Sequence, residues 1–352
     1  MTDLLSLPMQ ELTRWVTQEL GEPKYRAKQL YDWLHKKQVR TFGEMSSLPA
    51  ALRQRLGETA FIAPVESRLK LESQLDGTKK FLFALGDGNC VEAVWMEYHH
   101  GPSLCISTQV GCRMGCKFCA STLGGLVRNL TPGELLGEVY EAQRQTGRKI
   151  SSLVLMGIGE PLDNLQNVLT FLDILCSEEG QPLGYRHRSL SACGLIPGIR
   201  ELMDKKLGLT LSISLHAPED GARSAIMPVN RQYPIGELME VCREYFAVTG
   251  RRISYEYALI DGVNDTPEQA AALARLLEGQ ICHVNLIPVN PVAERETRRS
   301  SRAAVERFAR RLGELGVNAT VRRELGSDIS AACGQLRRRA AGVTPYPPPS
   351  GA

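Results

Sequence analysis

The stretch LCISTQVGCRMGCKFCAST, residues 104–122, joins a predicted strand to a run of three cysteines. Its first five residues, LCIST at 104–108, are typical of a short buried strand. The cysteines that follow are Cys112, Cys116 and Cys119, and no fourth cysteine lies inside the run. Core packing does not account for thiols clustered in this way, so the run indicates a site that binds an inorganic group.

Strand and helix signals alternate from this stretch onwards. Further strands are predicted at residues 151–156, 187–192, 209–215, 253–260 and 284–287, and helices are predicted to begin near Pro132, Asn164, Pro197, Pro234, Pro267 and Ser300. The first helix has a clear start signal, because Thr131 can cap it, Pro132 suits its first turn and Glu134 completes a capping box. About six βα units predict an α/β fold, with a parallel sheet that curls into a partial barrel or stays open and doubly wound.

Two shorter regions precede this core. Residues 1–60 have the apolar spacing of a small helical domain, and residues 61–98 alternate strand signals with turns such as Asp76–Gly77, as in a β-meander that links to the core. The core is expected to span residues 99–340. Residues 341–352 form a Pro-rich tail whose composition predicts disorder.

Several polar residues follow the predicted strands at the point where each strand ends. They are Gly159, Glu160, Ser191, Ser214, His216 and Asn290, and the cysteine run itself follows the first strand. Functional sites of parallel α/β sheets lie beyond the carboxyl ends of the strands. We therefore expect these positions to converge on one pocket with the cysteines.

Three thiolates are the informative feature of the cysteine run. A structural zinc site normally takes four protein ligands, and the nearest further thiol, Cys105, lies within a predicted strand. A 4Fe-4S cluster held by three cysteines leaves one iron open to another ligand. The spacing therefore favours a 4Fe-4S cluster that binds a second molecule.

Composition and charge limit the class of protein. Ten cysteines in 352 residues are too dilute for a disulfide scaffold, and the sequence has neither a secretion signal nor an apolar run that could cross a bilayer. A cytoplasmic monomer with no membrane contact is expected. The net charge is +3, yet residues 291–339 hold 12 arginines against 6 acidic residues. This asymmetry indicates either a phosphate-binding surface or a solvated helix that buries Val305, Phe308 and Leu312.

The cysteine run after a first strand resembles that of the radical S-adenosylmethionine superfamily. Together with five other stretches it is similar to the dual-specificity RNA adenine-C2 methyltransferase family, in the same order and over nearly the whole chain. These stretches are residues 24–37, 105–134, 156–164, 212–220, 285–291 and 328–336. The resemblance implies a partial (βα)6 TIM-like barrel of the radical SAM type, with an N-terminal helical domain and a short β-meander.

The resemblance also implies cofactors and partners. Cys112, Cys116 and Cys119 would hold one 4Fe-4S cluster, and Gly159, Glu160, Ser191, Ser214, Leu215, His216 and Asn290 would contact S-adenosylmethionine. Two molecules of S-adenosylmethionine would be used in each turnover, and an electron donor such as flavodoxin or ferredoxin would be needed. The implied substrates are 23S ribosomal RNA and certain transfer RNAs, methylated at C2 of adenine.

In the family mechanism, the residue that corresponds to Cys333 takes a methyl group and then attaches it to the RNA. Cys105 would release the RNA by forming a transient disulfide with Cys333. Glu92 matches the carboxylate that accepts a proton in this sequence. RNA contacts would come from the arginine-rich region that flanks Cys333, and from the N-terminal basic residues Lys24, Arg26, Lys28, Lys36 and Lys37.

Other interpretations of these residues remain open from the sequence. Alternation along VEAVWMEY would ordinarily put Glu92 on the solvent face of a strand, and His216 has the alternative of a satisfied core histidine. Composition does not distinguish Cys105 and Cys333 from Cys90, Cys176, Cys193, Cys242 or Cys282, most of which are expected to be small core residues.

Two other functions also remain open. One is a non-catalytic zinc or iron-sulfur module that binds nucleic acid. The other is an adenine-C8 methyltransferase that confers ribosomal antibiotic resistance. This alternative stays open because many members of the adenine-C2 family have arginine immediately before the glycine that corresponds to Gly326, whereas this chain has Leu325.

Overall fold

The computed structural model describes residues 1–178, 180, 184–290 and 292–329. Cys333 and the Pro-rich tail at 341–352 therefore lie outside the described residues. No helix in the described part of the chain combines the length and the apolar character that crossing a membrane requires.

The N-terminal region is helical, as the sequence predicts. Its helices are α1 (Met9–Gln18), α2 (Tyr25–Tyr31) and α3 (Ala50–Thr59). Two short strands, β1 (Thr2–Asp3) and β2 (Ala60–Phe61), pair in parallel and bring the two ends of the region together. Helix α1 buries Leu12 and Val16, one turn apart, so its apolar face packs inward.

The remaining strands β3 to β8 follow one another, and from α4 onward helices and strands alternate except at α7 and α8. The strands are β3 (Val65–Glu72), β4 (Lys79–Leu85), β5 (Cys90–Tyr98), β6 (Gly101–Cys105), β7 (Gln109–Gly111), β8 (Leu126–Asn129), β9 (Ser152–Leu155), β10 (Arg188–Ala192), β11 (Thr210–Ser214), β12 (Ile253–Leu259), β13 (Cys282–Pro288) and β14 (Ala319–Val321). The helices are α4 (Pro132–Thr146), α5 (Leu165–Cys176), α6 (Ile196–Asp204), α7 (Asp220–Ile226), α8 (Ile235–Thr249), α9 (Pro267–Leu276) and α10 (Arg302–Glu314).

Within the described residues, ten strands form one sheet in the order β14-β13-β12-β11-β10-β9-β6-β5-β4-β3. The strands from β6 and β9 to β14 are parallel, and β3 to β6 are antiparallel. The α/β class and the mostly parallel core are confirmed. The meander is continuous with the core sheet, because β5 pairs with β6 and places Val94 opposite Cys105.

Local signals located the helix starts well. Helix α4 begins at Pro132 with the predicted capping box: the Thr131 hydroxyl accepts from the Glu134 amide at 3.2 Å, and the Glu134 carboxylate accepts from the Thr131 amide at 3.0 Å. Arg128 donates two further hydrogen bonds of 2.8 Å to the same carboxylate. Helix α7 and the β7–β8 hairpin were not predicted from the sequence.

Candidate functional site

A cavity of about 290 Å³ lies at the carboxyl ends of the parallel strands, and we call it the cysteine cavity. Among the residues that line it are Cys112, Cys116, Cys119, Gly159, Glu160, Ser191, Ser214, His216 and Asn290. The structure thus brings together the cysteine run and the strand-end residues. Leu215 is fully buried, and its carbonyl accepts a hydrogen bond from Arg223 at 3.0 Å.

The cysteines lie in the connection between β7 and β8. Backbone hydrogen bonds fix this loop, since the Cys112 amide donates to the Gly125 carbonyl at 2.9 Å and the Thr122 hydroxyl donates to the carbonyls of Cys116 and Cys119 at 3.0 Å each. The Lys117 amide donates to the carbonyl of Ile226 in helix α7 at 2.9 Å. The loop is therefore fixed by hydrogen bonds within itself and by a hydrogen bond to helix α7.

The three cysteines all line the cysteine cavity. The thiols of a 4Fe-4S cluster bind different irons, so they do not have to meet at one point. Burial raises the pKa of Cys112 to about 12 and also raises the pKa of Cys116. A metal that bound these thiols would have to displace their protons.

Gly159 occupies a position that excludes any side chain. Its φ of +111° is one that other residues rarely adopt. An added Cβ would also lie 2.7 Å from the Gln109 amide nitrogen and from the Thr108 hydroxyl. The absent side chain therefore allows a close approach of this backbone to Thr108 and Gln109, beside the cavity that Gly159 lines.

Glu160 follows directly and is 4% exposed. Its carboxylate accepts from the amides of Leu162 at 3.0 Å and Cys193 at 2.8 Å, and so joins the end of β9 to the end of β10. Burial raises its pKa to about 7, against the opposing effect of these amides. Near neutral pH the carboxyl group can therefore hold or release a proton.

His216 has features of both interpretations left open by the sequence. Its Nδ1 accepts from the Ala258 amide at 2.9 Å, and its ring meets the Phe118 ring edge-on with centroids 4.9 Å apart. Burial lowers its pKa to about 3, so the ring is neutral. It is a satisfied histidine that also lines the cysteine cavity, with φ of +59°.

Arg223 is a residue that the sequence did not single out. It is 0% exposed and donates to the carbonyls of Cys193 at 2.7 Å, Ser214 at 3.0 Å and Leu215 at 3.0 Å. A fourth hydrogen bond of 2.9 Å goes to the Asn230 side chain. One guanidinium therefore fixes the ends of β10 and β11, where the predicted cofactor-binding residues lie.

A second cavity of about 180 Å³ adjoins the first, and we call it the Cys105 cavity. Its walls include Val94, Met96, Cys105, Arg299, Arg322, Arg323 and Leu325. Ile287, Asn290 and Arg322 line both cavities. Cys105 thus lies in the neighbouring space and is not a lining residue of the cysteine cavity.

Glu92 lies inside the protein, so the solvent-face interpretation is wrong. It is 2% exposed, and its carboxylate lies 3.0 Å from the ammonium of Lys80, which is 1% exposed. Val94 and Met96 on the same strand pack with Cys105, so alternation puts Glu92 on that face of the sheet too. Among the described residues, Glu92 is not part of the lining of either cavity.

The segment of residues 322–329 leads from β14 toward Cys333, and we call it the C-terminal segment. Its Leu325 packs against the cluster of Val94, Met96 and Cys105, which explains an apolar residue at this position. The Gly326 amide donates to Asp76 at 2.9 Å. Asp328 accepts from the Ser73 hydroxyl at 2.7 Å and from the Gln74 amide at 2.9 Å. Neither aspartate was expected from the sequence to have this role.

The arginines of the C-terminal region lie in two different settings. Helix α10 buries Val305, Phe308 and Leu312, as predicted for an amphipathic helix. On its outer face Arg302, Arg310 and Arg311 form ion pairs with Glu306 or Glu314 of the same helix. In contrast, Arg299, Arg322 and Arg323 line the Cys105 cavity.

Two family models match the chain. Residues 2–62 match the ribosomal RNA large subunit methyltransferase N-terminal domain, and residues 106–276 match the radical SAM superfamily. A solved structure of a radical SAM methyltransferase from Sphaerobacter thermophilus superposes with a TM-score of 0.91 at 42% identity. It covers 95% of this chain and 99% of that chain. The fold and the three-cysteine loop thus define a radical SAM methyltransferase.

Curated relatives narrow the class. A probable dual-specificity RNA methyltransferase RlmN from Clostridium perfringens is 53% identical over 96% of this chain and 97% of its own length. Proteins of the same description from Lachnospira eligens and Desulforamulus reducens are each 50% identical over 96% of this chain and 97% and 96% of their own lengths. The chain belongs to the RlmN family of dual-specificity RNA methyltransferases. Membership implies a 4Fe-4S cluster and S-adenosylmethionine, and it excludes a non-catalytic module.

Proposed function

We propose that the protein methylates C2 of adenine in 23S ribosomal RNA and in the anticodon loop of certain transfer RNAs, and that it uses two molecules of S-adenosylmethionine per turnover. The electron comes from a donor such as flavodoxin or ferredoxin. C2 of adenine is an electron-poor carbon whose hydrogen is not usefully acidic, so it cannot attack a methyl sulfonium directly. Radical chemistry avoids this barrier.

Cys112, Cys116 and Cys119 hold the cluster, and Gly159, Glu160, Ser191, Ser214, Leu215, His216 and Asn290 bind S-adenosylmethionine. When bound, these groups supply one-electron cleavage of the sulfonium and a 5′-deoxyadenosyl radical. The two cavities adjoin each other, because Asn290 lines both the cysteine cavity and the Cys105 cavity, and this supports the assignment. Hydrogen abstraction at one cavity can therefore be followed by bond formation at the other.

Cys333 carries the methyl group to the RNA. Its thiolate displaces the methyl from one S-adenosylmethionine, and S-adenosylhomocysteine leaves. The S-methyl group of Cys333 then loses a hydrogen atom, and its carbon bonds to C2 of the adenine. The RNA is at this point attached to the protein through a thioether.

Glu92 and Cys105 release the product. The radical adduct loses its C2 proton, which Glu92 accepts, and one electron, which the oxidised cluster would take back. Cys105 then attacks the Cys333 sulfur, so that the S–S bond forms and the bond between sulfur and methylene breaks. The methylene carbon keeps the electron pair and takes a proton to become the methyl group. A dithiol reductant restores both cysteines.

The observation that carries this proposal is the position of Cys105 beside the C-terminal segment. Leu325 packs on the cluster that contains Cys105, and Asp328 is anchored to the β3–β4 turn. In the sequence, only three residues lie between Ile329, the last described residue, and Cys333.

The basic residues that line the Cys105 cavity bind the RNA substrate. Arg322 and Arg323 can contact phosphates on either side of an adenine that has turned out of its stack. We assign further RNA contacts to the N-terminal domain, residues 1–60, where Lys37 lies over the Trp33 ring at 3.2 Å. An RNA with a structured loop could contact both the arginines of the Cys105 cavity and the N-terminal domain.

The test is a single-turnover reaction of the reconstituted enzyme under anaerobic conditions. Fragments of 23S ribosomal RNA and transfer RNA are digested and their nucleosides compared by mass spectrometry with 2-methyladenosine and 8-methyladenosine standards. We expect 2-methyladenosine. Formation of the 8-methyl isomer would replace the C2 assignment with the C8 alternative.

Cysteine variants test the mechanism in the same reaction. Cys105→Ala should accumulate RNA that is covalently attached through Cys333, and Cys333→Ala should give neither adduct nor product. Cys282→Ala is the control, because Cys282 begins β13 at the opposite end of the strand from the cavities. Free turnover by Cys105→Ala or Cys333→Ala would contradict the assigned roles.

A further inference from the structure

Both members of the ion pair between Lys80 and Glu92 are buried. The two charged atoms are 3.0 Å apart, and the side chains are 1% and 2% exposed. Lys80 lies opposite Val94 and Glu92 lies opposite Leu82 in the β4–β5 ladder, so the pair is diagonal across one face of the sheet. That face also carries Cys105.

We infer that Lys80 is a positioning residue that holds the Glu92 carboxylate, through this buried ion pair, in the orientation that takes the C2 proton of the RNA adduct. The inference rests on the proposed function. In the step concerned the C–H bond at C2 breaks, the proton goes to the Glu92 carboxylate, and the electron pair stays in the purine ring. Neither the family match nor the sequence motifs assign a role to Lys80.

A buried carboxyl group needs a reason to be ionised. Burial without a counter-ion favours the neutral acid, and a neutral acid cannot accept a proton. A cation within ion-pair distance reverses this preference, at the cost of making the carboxylate a weaker base. Because proton loss accompanies loss of an electron from the adduct, a weak base suffices.

Three other described groups lie on neighbouring elements, and none of these three is a cation. Cys105 faces it from β6, opposite Val94, and its thiol is neutral or negative. From helix α4, Glu138 accepts a hydrogen bond from the Ser107 amide at 3.2 Å, and burial raises the pKa of Glu138. The Ser107 hydroxyl donates to the Glu92 carbonyl at 2.8 Å, which fixes the backbone but leaves the carboxylate charge unchanged.

Four variants test the inference in the single-turnover reaction: Lys80→Met, Lys80→Arg, Glu92→Gln and the double variant Lys80→Met with Glu92→Gln. Lys80→Met should lower the rate of product release by about a hundredfold and accumulate the covalent RNA adduct, and Glu92→Gln should do the same. Formation of S-methyl-Cys333 and of 5′-deoxyadenosine in the first turnover should stay near the wild-type level. Lys80→Arg should restore release.

Comparison of the double variant with the single variants distinguishes a role through Glu92 from independent packing. The double variant should be no slower than Glu92→Gln alone. Lys79→Met is the matched control, since Lys79 is the neighbouring residue and pairs instead with Glu72 at 2.9 Å.

The results separate failure of the inference from failure of the proposed function. Wild-type enzyme that forms no 2-methyladenosine contradicts the function itself. Wild type that forms the product, together with Lys80→Met that releases it at the wild-type rate, contradicts only the role of Lys80. Additive losses in the double variant would also overturn it, because Lys80 would then act independently of Glu92. Equal iron content and equal unfolding temperature in Lys80→Arg and wild type show that the fold is intact.

Discussion

The carboxylate of Asp328 accepts a hydrogen bond from the hydroxyl of Ser73 at 2.7 Å, although 255 residues separate them in the sequence. The neighbouring Gly326 amide donates to Asp76 in the same turn. The turn between β3 and β4 therefore holds the C-terminal segment just before Cys333. These hydrogen bonds link the β3–β4 hairpin to the segment that precedes Cys333, the proposed methyl carrier, in the sequence.

Loss of this anchor should slow methyl transfer. Asp328→Ala removes both acceptors, and we expect it to lower single-turnover methylation of Cys333 about tenfold, equivalent to about 1.4 kcal/mol in activation free energy. The measurement is mass spectrometry of the protein after mixing with S-adenosylmethionine. Glu72→Ala, on the same hairpin, should methylate at the wild-type rate. Equal rates for Asp328→Ala and Glu72→Ala would show that the anchor does not position Cys333.

Gly159→Ala should disturb both stability and cofactor binding. The added methyl would lie 2.7 Å from the Gln109 backbone at a φ of +111°, which costs about 1–3 kcal/mol in strain. Denaturant unfolding and S-adenosylmethionine binding measure the two effects. Gly236→Ala in helix α8 is the control, since nothing lies within 4 Å of its Cβ position. A Gly159→Ala protein that binds the cofactor normally would contradict the close approach proposed here.

Arg223→Lys should loosen the ends of β10 and β11. Lysine keeps the charge but cannot reach three carbonyls and the Asn230 side chain with one planar group. We expect a loss of about 2–4 kcal/mol in unfolding free energy and weaker S-adenosylmethionine binding, because buried carbonyls lose their donors. Calorimetry measures both. The exposed Arg231→Lys should change neither, and equal behaviour of the two variants would refute the bracing role.

His35 should make the protein sensitive to acid. It is fully buried, with Nδ1 2.9 Å from the Tyr140 hydroxyl, and burial lowers its pKa to about 3 from an ordinary value of 6.5. Between these values the unfolded chain binds a proton that the folded protein does not, so stability falls as the pH falls through this window. The slope from this group alone is about 1.4 kcal/mol per pH unit.

His35→Gln removes that titration. Unfolding free energy measured from pH 7.5 to 4.5 should fall less steeply in the variant than in the wild type. Above pH 7 the two slopes should coincide, because the histidine is neutral in both the folded and the unfolded chain. Parallel curves through the acid range would show that His35 does not carry this sensitivity.

Local signals in the sequence located much of the fold. The capping box at Thr131 predicted the start of α4, and strand periodicity predicted the parallel core, because both depend on residues close together in the chain. The convergence of Glu160 and His216 with the cysteines followed from the general rule for parallel sheets. These features need no knowledge of remote contacts.

Remote contacts were beyond prediction from one sequence. The alternation around Glu92 suggested a solvent face, but Lys80 and the Cys105 cluster cover that face in the folded protein. In the sequence, Arg223 looks like an ordinary surface residue. In the structure, helix α7 places it against the ends of β10 and β11. The alternatives for Glu92 and for the cysteines could be separated only by tertiary structure.

The order of the ten described strands sets a lower limit on a working fragment of this enzyme. Residues 106–276, which match the radical SAM superfamily, omit β3 to β6 and β13 to β14. Cutting the gene to that span would discard Cys105, the hairpin that binds Asp328 and the residues that line both cavities, Ile287, Asn290 and Arg322. Engineers who seek a compact methyltransferase should therefore shorten surface loops and keep the segments on both sides of that span.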